Sequence, residues 1–469
     1  MALITSISGI RGTVGSGDSN LNPLNFINFV LAFGESLKRK NKGRKTKIVL
    51  GRDGRISGEM FLSLATQSLI SLGIDVLNIN LASTPTVEIA VINEKTDGGI
   101  IISASHNPKE WNALKFLNNK GEFLNEKDGK KILSLAEKKN FSFVEVSDLG
   151  KYQENFSYDD VHIDKILKLP LINKKAIERA DFKVVLDGIN SVGAIVGKNL
   201  LKKLGVKNII IINQEVDGDF NHNPEPIDKN LRQLSLAVKK LGADIGLAVD
   251  PDVDRLAIVD EQGNFWGEEY TLVAAADYIF KNYKIFQNKF KKNAVSNLSS
   301  SLALKDLAEK YQGKYFFSKV GEANVVEKTK KVKAAISGEG SGGIIYPCFH
   351  YGRDALVGIA LILSFLSSER KKASEIRKEL PGYFMVKEKI KLSSKVDTRK
   401  IFDKIEKRYK ALEIIKIDGL KINFKKERAW VILRLSNTEP IIRIYCEAPT
   451  HKEAQKKFKE ISDFINNIN

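Results

Sequence analysis

The chain is predicted to be an α/β protein, with three similar α/β domains followed by a smaller C-terminal α+β domain. Three observations predict it. The length of 469 residues suits about three or four domains of ~150 residues each. A strand–turn–helix alternation restarts twice after its first appearance. From about residue 381 the alternation gives way to strands closed by one terminal helix, the mark of a separate α+β unit.

The elements follow in order. A β-branched run at 45–50 stops at Gly51, and an amphipathic pattern at 58–72 predicts a helix. Strands are expected at 75–80 and 99–103, and a helix at 126–139 closes the first unit near residue 150. The second unit opens with a short apolar strand at 182–186, of the kind buried in parallel sheets. The turn Asp187-Gly188-Ile189-Asn190-Ser191 leads into a helix to residue 204, then strands at 208–212 and 244–249. The third unit opens near Phe265 with a helix through residue 280, and carries strands near Ala294 and Ala334. Its last helix, 354–366, is apolar nearly all round and is expected to be buried. Strands at 384–392, 430–435 and 441–448 and a helix at 452–468 make the last unit. The expected domains are 1–150, 151–260, 261–372 and 373–469, with Leu380-Pro381-Gly382 as an interdomain hinge.

Composition narrows the function classes. Hydrophobic residues make up 43% and prolines number only 11, so the chain can bury a sizeable core. The longest apolar run, 357–363, is far short of the ~20 residues that span a bilayer, so no membrane association is expected. Residues 1–17 lack a basic flank followed by an apolar run, so no secretory signal is expected. Cys348 and Cys446 show no metal-ligand spacing and suit a reducing, cytoplasmic location. Lys and Arg number 75 against 57 Asp and Glu, a net charge of +18. No basic run carries interleaved aromatics, so the charge is read as solvated lysines favouring an anionic small substrate, with no nucleic-acid partner expected.

Four loops carry the chemistry. Ser103-Ala104-Ser105-His106-Asn107-Pro108 follows a strand, where open α/β sheets gather ligands. It is either a helix-capping turn or a nucleophilic hydroxyl, Ser105, assisted by the His106 imidazole and the Lys115 charge. Asp250-Pro251-Asp252-Val253-Asp254-Arg255 places carboxylates at every second position of a turn, either a solvated acidic turn or a site where a hard cation, Mg²⁺ or Ca²⁺, relieves their repulsion. Gly338-Glu339-Gly340-Ser341-Gly342-Gly343 is read as a flexible loop whose Glu339 and Ser341 suit sugar hydroxyls, although a plain turn also explains the glycines. Arg434-Leu435-Ser436-Asn437-Thr438-Glu439-Pro440, with Arg443 beyond, is either a polar turn between two strands or a set of guanidinium, hydroxyl and amide donors that grips a phosphate.

Taken together, over essentially the whole length, these loops and their order resemble the α-D-phosphohexomutases, which include phosphoglucomutase/phosphomannomutase and phosphoglucosamine mutase. The resemblance implies four domains around a central cleft, each giving one loop. It implies that Ser105 is a phosphoserine and that Asp250, Asp252 and Asp254 hold Mg²⁺ together with a phosphoserine oxygen. Glu339 and Ser341 match the family's hydroxyl readers, and Arg434, Ser436, Asn437 and Thr438 its distal phosphate clamp. Lys115 and Arg11, in Ser8-Gly9-Ile10-Arg11-Gly12, match basic residues near the reacting oxygen, with Arg255 as a further neutralising charge. His222-Asn223-Pro224-Glu225-Pro226 resembles a structural segment.

The implied enzyme is an isomerase acting through a hexose bisphosphate, with Lys115 or His106 as general base, and is a monomer or homodimer. Many members have His where this chain has Gly343, and His350 is a candidate substitute. Asn437 resembles the gluco/mannomutases, whereas the glycine-rich third loop and Val320-Gly321-Glu322 resemble a subgroup assigned to glucosamine 6-phosphate. Glucosamine phosphate is therefore the favoured substrate and glucose or mannose phosphate the alternative. A non-catalytic sugar-phosphate-binding protein is the rival of another class.

Overall fold

In the computed structural model all residues are described except 1, 2, 7, 8, 18, 42, 287, 288, 393–397, 436–440, 468 and 469. Four sheets succeed one another along the chain. Each of the first three contains four strands in one repeated spatial order. In the first the order is Trp111–Asn118, Gly98–Ile102, Lys47–Arg52, Asp75–Leu81. In the second it is Leu256–Asp260, Ile245–Val249, Lys183–Asp187, Asn208–Ile212. In the third it is Gly343–Ile345, Ala334–Glu339, Lys291–Asn297, Lys314–Ser318. Three strands of each set are parallel, linked by helical crossovers, and the outermost is antiparallel.

This topology positions the site. The last parallel strand runs to its carboxyl end, turns, and returns as its own antiparallel neighbour. The three turns so formed are residues 103–110, 250–255 and 340–342, at the strand ends where α/β sheets bind ligands. Gly98–Ile102 and Ile245–Val249 are buried along their whole length, as expected of strands covered on both faces. The returning strands were not anticipated from sequence, because each follows a polar turn and reads as its continuation. The first sheet is widened by Ile4–Ser6 and Gly9–Thr13 on one edge and Tyr152–Glu154 on the other.

The second and third units share one continuous core. At its centre lie the helices Glu268–Lys281 and Ala355–Glu369, and in the latter every residue from 355 to 367 is buried, as its apolar sequence predicts. Asp354 caps that helix, accepting from the amides of Leu356 and Val357 at 2.8 and 3.1 Å. Its other oxygen accepts from His162 Nε2 at 2.9 Å and His350 Nε2 at 3.0 Å, and His350 Nδ1 lies 3.2 Å from Glu88 of the first unit. Burial opposes the His350 charge, but Asp354 and Glu88 raise its pKa to about 10. This buried ionic cluster ties the first unit to the shared core.

The fourth sheet is antiparallel throughout, in the order Phe384–Lys391, Ile441–Ala448, Ala429–Leu435, Leu420–Phe424, Glu413–Ile415. One face is covered by the helices Thr398–Arg408 and His451–Asn466. The other docks on the third unit through Trp430, Ile432 and Leu298. There Glu447 Oε2 accepts from Trp430 Nε1 at 2.7 Å and the Leu302 amide at 2.8 Å, and Lys421 Nζ donates to the Leu298 carbonyl at 2.7 Å. Leu380-Pro381-Gly382, expected as a hinge, is held by Tyr270, whose hydroxyl donates to the Pro381 carbonyl and accepts from the Tyr383 amide. Among the described residues no helix is long and apolar enough to cross a membrane.

Replacing Asp354 with Ala removes the cap of the buried helix and leaves two buried imidazoles without their carboxylate. Urea unfolding should show a loss of about 3–5 kcal/mol, the range for breaking a buried charge network on one side.

Candidate active site

The first turn is held from beneath by Arg55. Its guanidinium is buried and donates to four backbone carbonyls, those of Ser105 (2.6 Å), Asn107 (2.6 Å), Pro108 (2.7 Å) and Trp111 (2.8 Å), while Nε donates to Asp53 at 3.1 Å. Asp53 also accepts from Ser103 Oγ at 2.6 Å, which in turn accepts from the Ser105 amide at 2.9 Å. The result is a Ser105 held at φ 49°, a left-handed conformation unusual for a non-glycine residue and sustained only by such bracing. Its hydroxyl donates to Asp250 Oδ2 at 2.7 Å and lies 3.4 Å from His106 Nδ1.

The acidic turn is built in a matching way. Val253, buried and β-branched, stands at φ 60° between Asp252 and Asp254. All three aspartates are fully buried, and each commits one oxygen to the protein. Asp250 Oδ1 accepts the amides of Asp254 and Arg255, both at 3.1 Å. Asp252 Oδ2 accepts from Thr84 Oγ1 and Lys115 Nζ, and Asp254 Oδ2 from Arg353 Nη2 at 2.6 Å. The remaining oxygens of Asp252 and Asp254 are buried with no hydrogen-bond partner, and that of Asp250 faces the Ser105 hydroxyl. Three carboxylates within metal-binding reach of one another, with buried oxygens turned inward, fit a hard divalent cation. Burial and the neighbouring Asp254 and Asp252 push the Asp250 carboxyl well above its usual range, the signature of negative charge that a cation would relieve.

The basic groups divide by role. Burial disfavours the Lys115 ammonium, but Asp252 and Asp254 outweigh it and hold its pKa above the ordinary amine range. Lys115 therefore brings positive charge to the acidic turn. His106 is the reverse: burial, then Arg255 and Arg11, hold its imidazole well below the ordinary histidine value, and it is neutral. Arg11 from the first unit feels Arg443 of the fourth and Arg255 of the second, and burial together with these two like charges lowers its pKa. Arg11, Arg255 and Arg443, from three units, are thus near enough to repel one another, a repulsion that an anion would relieve.

The third turn departs from the expected flexible loop. Glu339 pairs with Gly343 across the hairpin, so it sits on a strand. Its Oε1 accepts from Asn297 Nδ2 at 2.9 Å and the Gly321 amide at 3.0 Å, and its Oε2 from Arg353 Nη1 at 2.9 Å. Ser341 lies at the turn, half-buried. His350, considered as a substitute at the site, is committed on both ring nitrogens to Asp354 and Glu88 and does not serve there. In the fourth sheet Arg434, Arg443 and Lys389 are direct cross-strand neighbours on one face, a row of like charges that is unfavourable without an anion. Arg434 is steadied by Asp418 at 3.1 Å. Ser436, Asn437 and Thr438, like Ser8, lie outside the described residues. His222 braces the second unit, Nε2 lying 2.9 Å from Asp187.

Arg55, Thr84 and Arg353 were missed by sequence reasoning. Arg55 stands in Gly51-Arg52-Asp53-Gly54-Arg55 at a strand end, which was a usable signal. The partners of Thr84 and Arg353 lie far away in the chain and left none.

Comparison with known proteins agrees with this arrangement. Four models of phosphoglucomutase/phosphomannomutase domains match in succession: alpha/beta/alpha domain I over residues 3–143, domain II over 160–263, domain III over 267–384 and the C-terminal domain over 389–464. A phosphoglucomutase/phosphomannomutase of Thermococcus kodakarensis is 33% identical over 96% of both chains. A phosphoglucosamine/phosphogalactosamine mutase of Sulfurisphaera tokodaii is 31% identical over 99% of both. The fold matches the crystal structure of a phosphoglucomutase/phosphomannomutase family protein from Burkholderia thailandensis with a TM-score of 0.81, at 22% identity over 99% of this chain and 97% of the other.

Because Arg55 sets the position of Ser105 through backbone carbonyls and through Asp53, Arg55→Lys, which keeps the charge and loses the fork, should lower kcat by about 10²-fold with little change in KM. Steady-state kinetics on the purified variant check this.

Proposed function

Since the chain belongs to the phosphoglucomutase/phosphomannomutase family, we propose that this phosphohexomutase interconverts glucosamine 6-phosphate and glucosamine 1-phosphate, with Ser105 as the phosphate carrier. The observation that carries the proposal is the Ser105 hydroxyl, 2.7 Å from Asp250 Oδ2 and beside the unpartnered carboxylate oxygens of Asp252 and Asp254. The choice of sugar is supported by the name of the Sulfurisphaera relative. The Thermococcus relative's name supports glucose or mannose phosphate as the alternative.

Asp250, Asp252, Asp254 and a phosphoserine oxygen would hold Mg²⁺, which when bound neutralises charge on the transferring phosphoryl group. In the first half-reaction a sugar hydroxyl oxygen forms a bond to the phosphorus and the Ser105 Oγ–P bond breaks. The hydroxyl proton passes to a general base at the site, Lys115 or His106. Lys115 and Arg255 supply positive charge beside the acidic turn, at 3.9 and 3.6 Å from Asp254. The bisphosphorylated sugar then turns over, and its other phosphate returns to Ser105. The clamp of Arg434, Ser436, Asn437, Thr438 and Arg443 holds whichever phosphate is not reacting, while Glu339 and Ser341 read the sugar hydroxyls, Glu339 sharing its oxygen with Arg353. The reaction then depends mainly on positioning and charge, with no group needed for redox or acyl chemistry.

Phosphorus NMR with Mg²⁺ and a trace of hexose bisphosphate should show glucosamine 6-phosphate and its 1-phosphate interconverting faster than the glucose or mannose phosphates. Faster exchange of the latter would reassign the sugar. Ser105→Ala should take up no phosphate from the bisphosphate by intact mass and lose turnover, and EDTA should abolish turnover reversibly. Full activity of Ser105→Ala would overturn the carrier role.

A further inference from the structure

Arg353 is bound by three carboxylates at the site, and the reaction just described gives it no part beyond sharing an oxygen of Glu339. It follows the hairpin strand Gly343–Ile345 and immediately precedes Asp354, the cap of the buried helix. Nine-tenths buried, it reaches carboxylates in three separate segments: Nε to Glu322 Oε2 at 2.9 Å, Nη1 to Glu339 Oε2 at 2.9 Å and Nη2 to Asp254 Oδ2 at 2.6 Å. The Arg353 amide also donates to Glu322 Oε1 at 3.1 Å. A planar fork satisfies three acceptors in fixed directions, which a lysine ammonium on a flexible stem cannot do. With Oδ2 of Asp254 so held, Oδ1 is the oxygen left facing the acidic turn.

Gly343 completes the picture. A Cβ at this position would run into Arg353, with its Cδ, Cγ and Nε as the three nearest atoms. Residue 343 stands opposite Glu339 in the hairpin, so any side chain there would compete with the arginine for the same volume beside Glu339. The absence of a side chain at 343 and the reach of Arg353 are two halves of one arrangement.

We propose that Arg353 is a positioning residue that sets Asp254 for the metal and Glu339 for the sugar at once, and that Gly343 is glycine because Arg353 lies across it. The proposal rests on the reading of Asp254 as a metal ligand. It joins the metal-holding turn of the second unit to the sugar-reading strand of the third through one guanidinium. Orientation of a ligand's second oxygen is worth about 10- to 100-fold in metal affinity at comparable sites.

The test is Mn²⁺ binding to the full chain without substrate, followed by electron paramagnetic resonance, with thermal unfolding as a check on folding. Arg353→Lys keeps the charge and loses the fork, so it should weaken Mn²⁺ binding by about 10- to 100-fold. Gly343→Ala should weaken it as well, by displacing the arginine. In an Arg353→Ala background, where nothing remains to displace, Gly343→Ala should change the affinity no further. Wild-type Mn²⁺ affinity in a folded Arg353→Lys protein overturns the positioning role alone. An equal loss from Gly343→Ala in both backgrounds overturns the coupling. Failure of the wild-type protein to bind Mn²⁺ overturns the metal reading and this inference together.

Discussion

Three carboxylates buried side by side are the constraint to which the rest of the molecule answers. Asp250, Asp252 and Asp254 are fully buried, and such groups are costly unless paired. Asp250 is held by backbone amides and the Ser105 hydroxyl, Asp252 by Thr84 and Lys115, and Asp254 by Arg353. These partners come from three units, so the charge problem of one turn draws the first, second and third sheets into contact. Where cohesion depends on complementary charge in this way, the same groups that hold the units together also aim the oxygens that do chemistry.

The architecture supplies the other half of the solution. Three times the chain lays down the same strand order and ends its last parallel strand in a turn toward the same space. The first turn is braced by Arg55, the second by amides within itself, and the third by the pairing of Glu339 with Gly343. The fourth unit meets them with a single sheet face used in two ways. Trp430 and Ile432 anchor one end of that face on the third unit, and Arg434, Arg443 and Lys389 line the other. The alternation of strand residues makes this division possible, because positions 430, 432 and 434 necessarily point the same way.

Much of this was legible in the sequence. The aspartates at 250, 252 and 254 announce themselves because three charges so close have few uses, and Ser105 because it follows an apolar strand. The helix ending in Glu369 was legible as buried from its lack of any polar face. What was not legible has one physical cause. Arg55 acts on backbone carbonyls, which have no letter in the sequence, and Arg353 acts on residues up to 99 positions away. Glu339 was placed in a loop because glycines surround it, whereas the glycines serve a tight hairpin and a passing arginine. His350 is a candidate substitute on proximity in sequence, and its nitrogens face Asp354 and Glu88 in a buried ion cluster.

The repeated hairpin has a consequence for how such a molecule can change. Each reactive turn closes an antiparallel pair at the rim of its sheet, so its length and residues can be rewritten without altering the register of the parallel strands behind it. The parallel strands can therefore keep their pairing while a turn changes, whereas turns joined by one side chain, as Arg353 joins the second and third, must change together.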